Sequence, residues 1–403
     1  MSSAYHQLKV VQVTRETPDA VTIFFEHPER EIIPSKAGQF LTLILPFKGK
    51  KERRSYSLSS APYEAPRLAV TVKRVPGGLV SNYLVDKCTE GTVIEVMAPM
   101  GNFSVSTDPT QVRNLVLIGA GSGITPLISI AKTVLHGEPK SRVNLIYGNR
   151  HEGTIIFREQ LAELEETYAD RLVVEHVLSQ PKYTPDSPAN VNGPAQPAKL
   201  SFKDRLKSLF GQPVPSPAEN QNIKPIEGLK YTGRLNQKML LDILRDNNLT
   251  DYLDTEFYLC GPEGLMDEAR EALKILKVGP DRIHKENFVV THTDPLPDSG
   301  TVSTIADSAA TPDCPIVTLI YEGTEYKVPV PKDQTILEAG LAQDIDLPYS
   351  CQAGLCTACR GKCLSGKVHL DEREGLSDAE MEEGYVLNCV GHPLTDDVVI
   401  EIG

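Results

Sequence analysis

The chain has no tryptophan, and aromatic residues make up only 6% of its 403 residues. That is too few for a surface built to stack nucleic-acid bases. Basic charge is also in deficit, with 41 Lys and Arg against 54 Asp and Glu, a formal net charge of −13. Such a balance opposes wholesale neutralisation of a phosphate backbone, so no nucleic-acid partner is expected. No apolar run approaches the roughly 20 residues that a membrane helix needs. The opening Met1-Ser-Ser-Ala-Tyr-His has no signal-peptide character, and the expectation is a cytoplasmic protein without stable membrane insertion. Cysteine is nearly missing before residue 314, where only Cys88 and Cys260 occur.

What is present is ordinary globular composition, 40% hydrophobic and 24% charged. At roughly 100–200 residues per domain, the length implies two to four domains. The remaining cysteines, Cys314, Cys351, Cys356, Cys359, Cys363 and Cys389, crowd into residues 314–403. That stretch holds 6 Lys and Arg against 16 Asp and Glu, so −10 of the net charge sits there. An acidic, cysteine-dense end reads as a metal or redox module rather than a disulfide scaffold.

Two polar stretches divide the chain. Residues 291–313 are rich in Thr, Ser, Asp, Pro and Ala, as an interdomain linker would be. Residues 180–230 are rich in proline and read as a long insert within a domain. Inside it, residues 199–211 pattern as one amphipathic helix. Before residue 109, β-branched or alternating runs at 8–14, 20–26, 39–45, 68–73 and 92–98 predict an antiparallel barrel or sandwich. From residue 114, buried strands (115–118, 143–147, 172–178, 257–260) alternate with helices (126–135, 157–168, 237–245, 264–276), which predicts a parallel sheet with crossover helices. The last 90 residues predict a hairpin at 316–330, one short helix at 335–342 and a cysteine loop.

That loop spaces Cys351, Cys356 and Cys359 as Cys-x4-Cys-x2-Cys, with Cys389 as a distant fourth. This is plant-type [2Fe–2S] spacing. Four thiolates make an anionic centre that needs backbone N–H groups turned towards sulfur, and Ser350, Ala353, Gly354 and Ala358 are small enough to allow it. A zinc site would more typically show paired Cys-x2-Cys knuckles, and only one occurs.

Leu115-Val-Leu-Ile-Gly119-Ala-Gly121-Ser-Gly123-Ile-Thr125-Pro126 follows a strand and opens a helix, as a turn that cradles a pyrophosphate does. Glycines serve many strand–helix turns for steric reasons alone, so placement is what lends this one weight. A second turn, Cys260-Gly261-Pro262, ends a later strand and should open onto the same crevice. A nicotinamide gives up two electrons at once and a [2Fe–2S] cluster accepts one, so a flavin is needed between them. Arg54-Ser55-Tyr56-Ser57 offers a guanidinium for phosphate, an aromatic ring for the isoalloxazine and a hydroxyl for its edge. Gly78 and Ser81 sit where a helix N-terminus could meet the diphosphate.

In this order, with Pro99-Met100-Gly101-Asn102-Phe103 between them, the motifs resemble the ferredoxin–NADP reductase superfamily. The appended ferredoxin makes the chain similar to reductase components of multicomponent oxygenases. The resemblance implies a multidomain α/β plus all-β protein: an antiparallel FAD-binding β-barrel (1–109), a parallel-sheet NAD(P)-binding α/β domain (110–290, with the insert 180–230), the linker (291–313) and a C-terminal β-grasp ferredoxin domain (314–403). It implies that Arg54, Tyr56, Gly78 and Ser81 bind the flavin and that Ser57 lies near its N5. Gly119, Gly121 and Thr125 would line the nicotinamide nucleotide site, with Cys260 by the ring. Glu286 and Phe288 would form the segment closing over the flavin. Ser57, Cys260 and Glu286 are thus the catalytic candidates. The Pro-x-Gly-x-Phe element points to FAD over FMN. The strand at 143–147 leads to Arg150 with no acid, which leans to NADPH over NADH. The expected activity is NAD(P)H-dependent reduction of an oxygenase component. The alternatives are a general ferredoxin or flavodoxin reductase, or a non-catalytic zinc- and nucleotide-binding module.

Overall fold

The structure, a computed structural model, describes residues 5–47, 49–183, 225–249, 255–287, 314–349, 351–354, 356–373 and 375–402. Phe288, the helical segment expected at 199–211 and the linker 291–313 lie outside the described residues.

Six antiparallel strands form the first sheet: β1 (Tyr5–Thr17), β2 (Ala20–Glu26), β3 (Phe40–Phe47), β4 (Lys50–Ser57), β5 (Leu68–Lys73) and β6 (Val93–Met97). Their order is β4-β3-β6-β1-β2-β5. A bridge from Leu58 to Val70 joins the end of β4 to β5 and closes the sheet into a barrel, deciding between barrel and sandwich. Its interior is packed by Leu8, Val10, Ile23, Phe25, Leu41 and Leu43, all fully buried. Helix α1 (Leu79–Lys87) adds Val80, Leu84 and Val85 to that core. Strand β4 escapes hydrophobic patterning because Lys-Lys-Glu-Arg-Arg-Ser-Tyr-Ser is mostly charged. It forms because its backbone pairs along the whole of apolar β3, from Phe40↔Ser57 to Phe47↔Lys50.

The second sheet is parallel: β7 (Asn114–Ala120), β8 (Arg142–Asn149), β9 (Leu172–Leu178), β10 (Tyr231–Thr232), β11 (Thr255–Gly261) and β12 (Ile283–Asn287). The order β10-β9-β8-β7-β11-β12 has the chain step outwards from β7 and then return to its other side at β11. Helices α2 (Ile124–Gly137) and α3 (Arg158–Thr167) cover one face, and α4 (Gln237–Asp246) and α5 (Glu263–Ile275) the other. The reversal between β7 and β11 is a topological switch point, and ligands bind such sheets beyond the carboxyl ends of the strands there. This body is fastened to the barrel by Lys132, which donates to both carboxylate oxygens of Glu64 at 2.9 and 2.7 Å, and by Ser129 Oγ donating to Ser60 O at 2.6 Å. Lys132 is only 5% exposed, so the pair sits where water screens it little and fixes the crevice between the two bodies.

The third body is a mixed sheet of β13 (Ile316–Tyr321), β14 (Thr324–Pro329), β15 (Arg360–Ser365), β17 (Tyr385–Leu387) and β19 (Val399–Ile402), in the order β14-β13-β19-β15-β17. A small ribbon pairs β16 (Val368–Leu370) with β18 (Gly391–Pro393). Helix α6 (Ile336–Leu341) packs Ile336, Leu337 and Ala339 into this core, the β-grasp arrangement. The expectation of one short helix here needs correcting. A second, α7 (Asp378–Glu382), stands where the sequence offered only an acid run, and it is started by a capping box between Ser377 and Glu380.

Candidate active site and redox centres

At the switch point, three adjacent strands place Gly119 (β7), Cys260 (β11) and Glu286 (β12) at one level, through the register pairs Cys260↔Gly119 and Cys260↔Glu286. Ser57, at the end of β4 in the barrel, faces this row and donates a hydrogen bond from Oγ to Glu286 Oε2 at 3.2 Å. The three catalytic candidates, far apart in sequence, therefore meet across the junction of two bodies. Burial pushes the Glu286 carboxyl up to about 8, against the opposing effect of the Ser57 hydrogen bond. Burial, then the nearby Glu286, pushes the Cys260 thiol well above its ordinary value. Both groups are consequently neutral over much of the range below pH 8, and the pocket floor carries little charge.

The glycine-rich turn lies against β11. A Cβ on Gly123 would stand 2.0 Å from Cys260 O, so only glycine lets the turn approach that strand. Gly121 has φ +56°, and its carbonyl accepts a 2.9 Å hydrogen bond from the fully buried Tyr147 hydroxyl. Thr125 is buried and donates from Oγ1 to Ser122 O at 2.9 Å, so its hydroxyl holds the turn together. Beside Gly121 stands Lys73 from the barrel, whose Nζ lies 3.2 Å from where a Gly121 Cβ would be. Desolvation and the neighbouring Arg150 hold the Lys73 ammonium below its ordinary range. Exposed Arg150, one residue beyond β8, thus shares the mouth of the crevice with a second cation, which sequence patterning gave no reason to single out.

On the barrel side, Arg54 pairs with Glu52 at 3.2 Å and donates to Arg53 O at 2.7 Å. Tyr56 packs partly buried against the barrel core, and burial raises its phenol. Gly78 is the N-cap of α1 and supplies no side-chain cap, so the first-turn N–H groups have no side-chain acceptor at the cap. Ser81 Oγ accepts from Val75 N at 3.1 Å, folding the loop that presents this helix end. An uncapped N-terminus favours an anion by about 1 kcal/mol, and with Arg54 on the same barrel these residues fit a flavin diphosphate.

The four cysteines expected as ligands converge. Cys356 is hydrogen-bonded to Cys351, and Cys389 to both Cys351 and Cys359. Thiols gathered in this way suit two irons, each held by two thiolates. Ala353 N donates to Cys351 Sγ at 3.4 Å, an N–H turned to sulfur as the small-residue loop predicts. Gly354 takes φ +70°, and a Cβ there would stand 2.8 Å from Glu372 Cβ. Cys363 is separate, donating to Ser365 O at 3.1 Å. Asn388, 1% exposed, donates from Nδ2 to Cys359 O at 2.9 Å and so ties the segment that carries Cys389 to the loop. Its role was invisible in the sequence, where only its place before Cys389 could have suggested it.

Comparisons with known proteins agree with this geometry. The oxidoreductase FAD-binding domain family matches residues 7–105, the oxidoreductase NAD-binding domain family residues 117–195, and the 2Fe-2S iron-sulfur cluster binding domain family residues 319–394. One subunit of the 1,2-phenylacetyl-CoA epoxidase from Escherichia coli is 33% identical over 402 residues, covering 99% of this chain and 98% of that one. The ferredoxin reductase component of 3-ketosteroid-9-alpha-monooxygenase from Rhodococcus rhodochrous is also 33% identical, over 397 residues, 98% of this chain and 96% of its own. Among solved structures, phthalate dioxygenase reductase shares the fold, with a TM-score of 0.54 at 20% identity, covering 99% of this chain and 98% of that one. The chain belongs to the family of oxygenase reductase components in which ferredoxin–NADP-reductase-like FAD and NAD domains are joined to a [2Fe–2S] domain. It is an oxidoreductase that uses FAD, NAD(P)H and a [2Fe–2S] cluster. Among the described residues, no helix is long and apolar enough to cross a membrane.

Proposed function

We propose that this chain takes electrons from NADPH onto an FAD that Ser57, Cys260 and Glu286 would line, and passes them to a cluster that Cys351, Cys356, Cys359 and Cys389 would hold and on to an oxygenase acting on an aromatic acyl-CoA ester. The observation that supports the site is the level row of Gly119, Cys260 and Glu286 facing Ser57 across the switch point. FAD, when bound, would convert the two-electron donation of a nicotinamide into the one-electron steps that an iron–sulfur cluster accepts. Ser57 would present its hydroxyl to the flavin edge, and Glu286 accepts from Ser57 Oγ and would hold a proton behind it. Cys260, its thiol kept protonated by burial, would line the nicotinamide side of the crevice. Arg54 and the N-terminus of α1 would hold the diphosphate.

The nucleotide preference follows from charge. Strand β8 ends without an acid to read a ribose 2′-hydroxyl, and Lys73 and Arg150 add two cations beside the turn. The acyl-CoA partner rests on likeness to the epoxidase component, full-length and 33% identical. A cytoplasmic location suits free thiols at all eight cysteines. The same reading sets the domain limits at 1–109, 110–290 and 314–403.

The test is single-turnover oxygenation with purified components. The reductase should carry one FAD and two irons per chain and support a phenylacetyl-CoA oxygenase far better than a ketosteroid one. Equal support of both would leave the reductase and remove the acyl-CoA assignment. Zinc in place of iron would remove the electron path.

A further inference from the structure

Strand β4 carries Arg54, Tyr56 and Ser57, the flavin side of the proposed site, and one residue earlier it carries Arg53. The Arg53 side chain is 2% exposed, and its guanidinium, 5.9 Å from the centroid of the Tyr5 ring of β1, reaches beyond the barrel. Nη2 reaches Asp346 Oδ1 at 2.5 Å, and Nη1 donates to Leu347 O at 3.1 Å. The guanidinium also lies over the Tyr349 ring, 4.7 Å from its centroid. These three partners belong to the segment that runs directly into the ligand Cys351, and Asp346 is the one carboxylate paired with Arg53 among the described residues.

A second contact repeats the pattern. Asn102 Nδ2, in the barrel's Pro-x-Gly-x-Phe element, donates to both oxygens of Glu380 at 2.8 Å. Glu380 in turn is bound by Arg360, the residue after the ligand Cys359. Each contact therefore ties the barrel to the immediate neighbourhood of a cluster ligand.

We infer that Arg53 is a positioning residue: it seats the iron–sulfur domain on the flavin-bearing strand so that the cluster loop takes its electron from the flavin. A guanidinium this buried, left without its carboxylate, keeps its desolvation cost and loses the compensation. Arg53 thus favours the seated arrangement over a separated one, and Asp346, with its side chain 65% exposed, can be altered without disturbing either core. This inference rests on the electron path proposed above.

The experiment uses the full-length holoprotein with Arg53→Gln, Asp346→Asn, the two combined, and Asp346→Glu. Anaerobic stopped-flow mixing with NADPH reads flavin and cluster bleaching separately, and hydrogen exchange follows the amides of residues 344–349. Flavin bleaching should stay unchanged in all variants. Cluster bleaching should slow by about tenfold in Arg53→Gln and in Asp346→Asn, with no further loss in the combined variant and recovery in Asp346→Glu. Exchange at residues 344–349 should quicken in step. Unchanged cluster bleaching with unchanged exchange in Asp346→Asn would overturn the seat, as would additive losses in the combined variant. If the cluster of the unaltered protein were never reduced, the electron path would fail instead. Exchange would then decide the seat alone: quickening supports it, and no change overturns it.

Discussion

Ser57 Oγ donates to Glu286 Oε2 at 3.2 Å across a junction that joins the barrel to an edge strand of the parallel sheet, 229 residues later. The carboxyl that accepts this bond is raised by burial from 4.5 to about 8. A carboxyl with a higher folded than unfolded pKa binds its proton more tightly when folded. Its contribution to stability is therefore full below about 4.5 and is lost as pH rises through about 8. In the flavin-free protein, melting temperature should fall across that window, and Glu286→Gln should flatten the fall. An unchanged slope in the variant would show that Glu286 titrates normally.

The same pair makes a prediction for catalysis. Ser57→Ala removes the hydroxyl while leaving the β4 backbone pairing to β3 intact. Transition-state hydrogen bonds are commonly worth a factor of about 100. NADPH-driven flavin bleaching should slow by that order with FAD content unaltered, as rapid mixing and extraction of the flavin would measure.

The four thiols belong to a separate body from the crevice, so electron entry and exit should come apart. Cys356→Ser should abolish cluster absorbance and iron content. NADPH-driven reduction of a small dye that takes its electrons from the flavin should persist, since that step needs no cluster. Loss of dye reduction with FAD still bound would contradict a linear path from flavin to cluster.

Much of this was legible from spacing. Cysteine intervals point to a [2Fe–2S] domain, and glycines between an apolar strand and a helix to a nucleotide-binding domain, because both are local chemical requirements. Strand β4 was not legible as a strand, since its charged residues carry no period-2 apolar signal and its pairing with β3 does the ordering. Strand β12 is a short polar edge, Ile-His-Lys-Glu-Asn, held in place by β11. Arg53 and Asp346 lie 293 residues apart, and no sequence pattern links them. The hydrogen bond from the Thr125 hydroxyl to Ser122 O, internal to the turn, had no signature in the sequence.

Arg150 is exposed and close enough to Lys73 to lower that ammonium. Burial is the larger cause of that lowering and Asp19 opposes it; a 2′-phosphate would add an anion beside both cations. Arg150→Ala should raise KM for NADPH by about tenfold and leave that for NADH nearly unchanged. Steady-state kinetics with both nucleotides check it, and equal effects would place Arg150 outside the phosphate site.

The acidic surface of the last body faces a competition. Residues 314–403 carry a net charge of −10, and Asp346 and Glu380 of that surface are engaged by Arg53 and Asn102 of the barrel. Asp371, Asp378, Glu382 and Glu383 remain exposed. Charge runs are usually solvated faces that serve solubility, yet this body must give its electron to a second protein. Transient electron-transfer contacts are small, so charge mainly speeds and orients the encounter. The docking face of the oxygenase should then be basic. Coupled turnover should slow as the Debye length shortens from about 10 Å at 0.1 M salt to about 3 Å at 1 M. Dye reduction at the flavin needs no docking and should respond much less. Replacing Glu382 and Glu383 by glutamine should lower the coupled rate at low salt and weaken its salt dependence, while the dye rate stays constant. If dye and coupled rates fell together with salt, the surface would serve solubility and not docking.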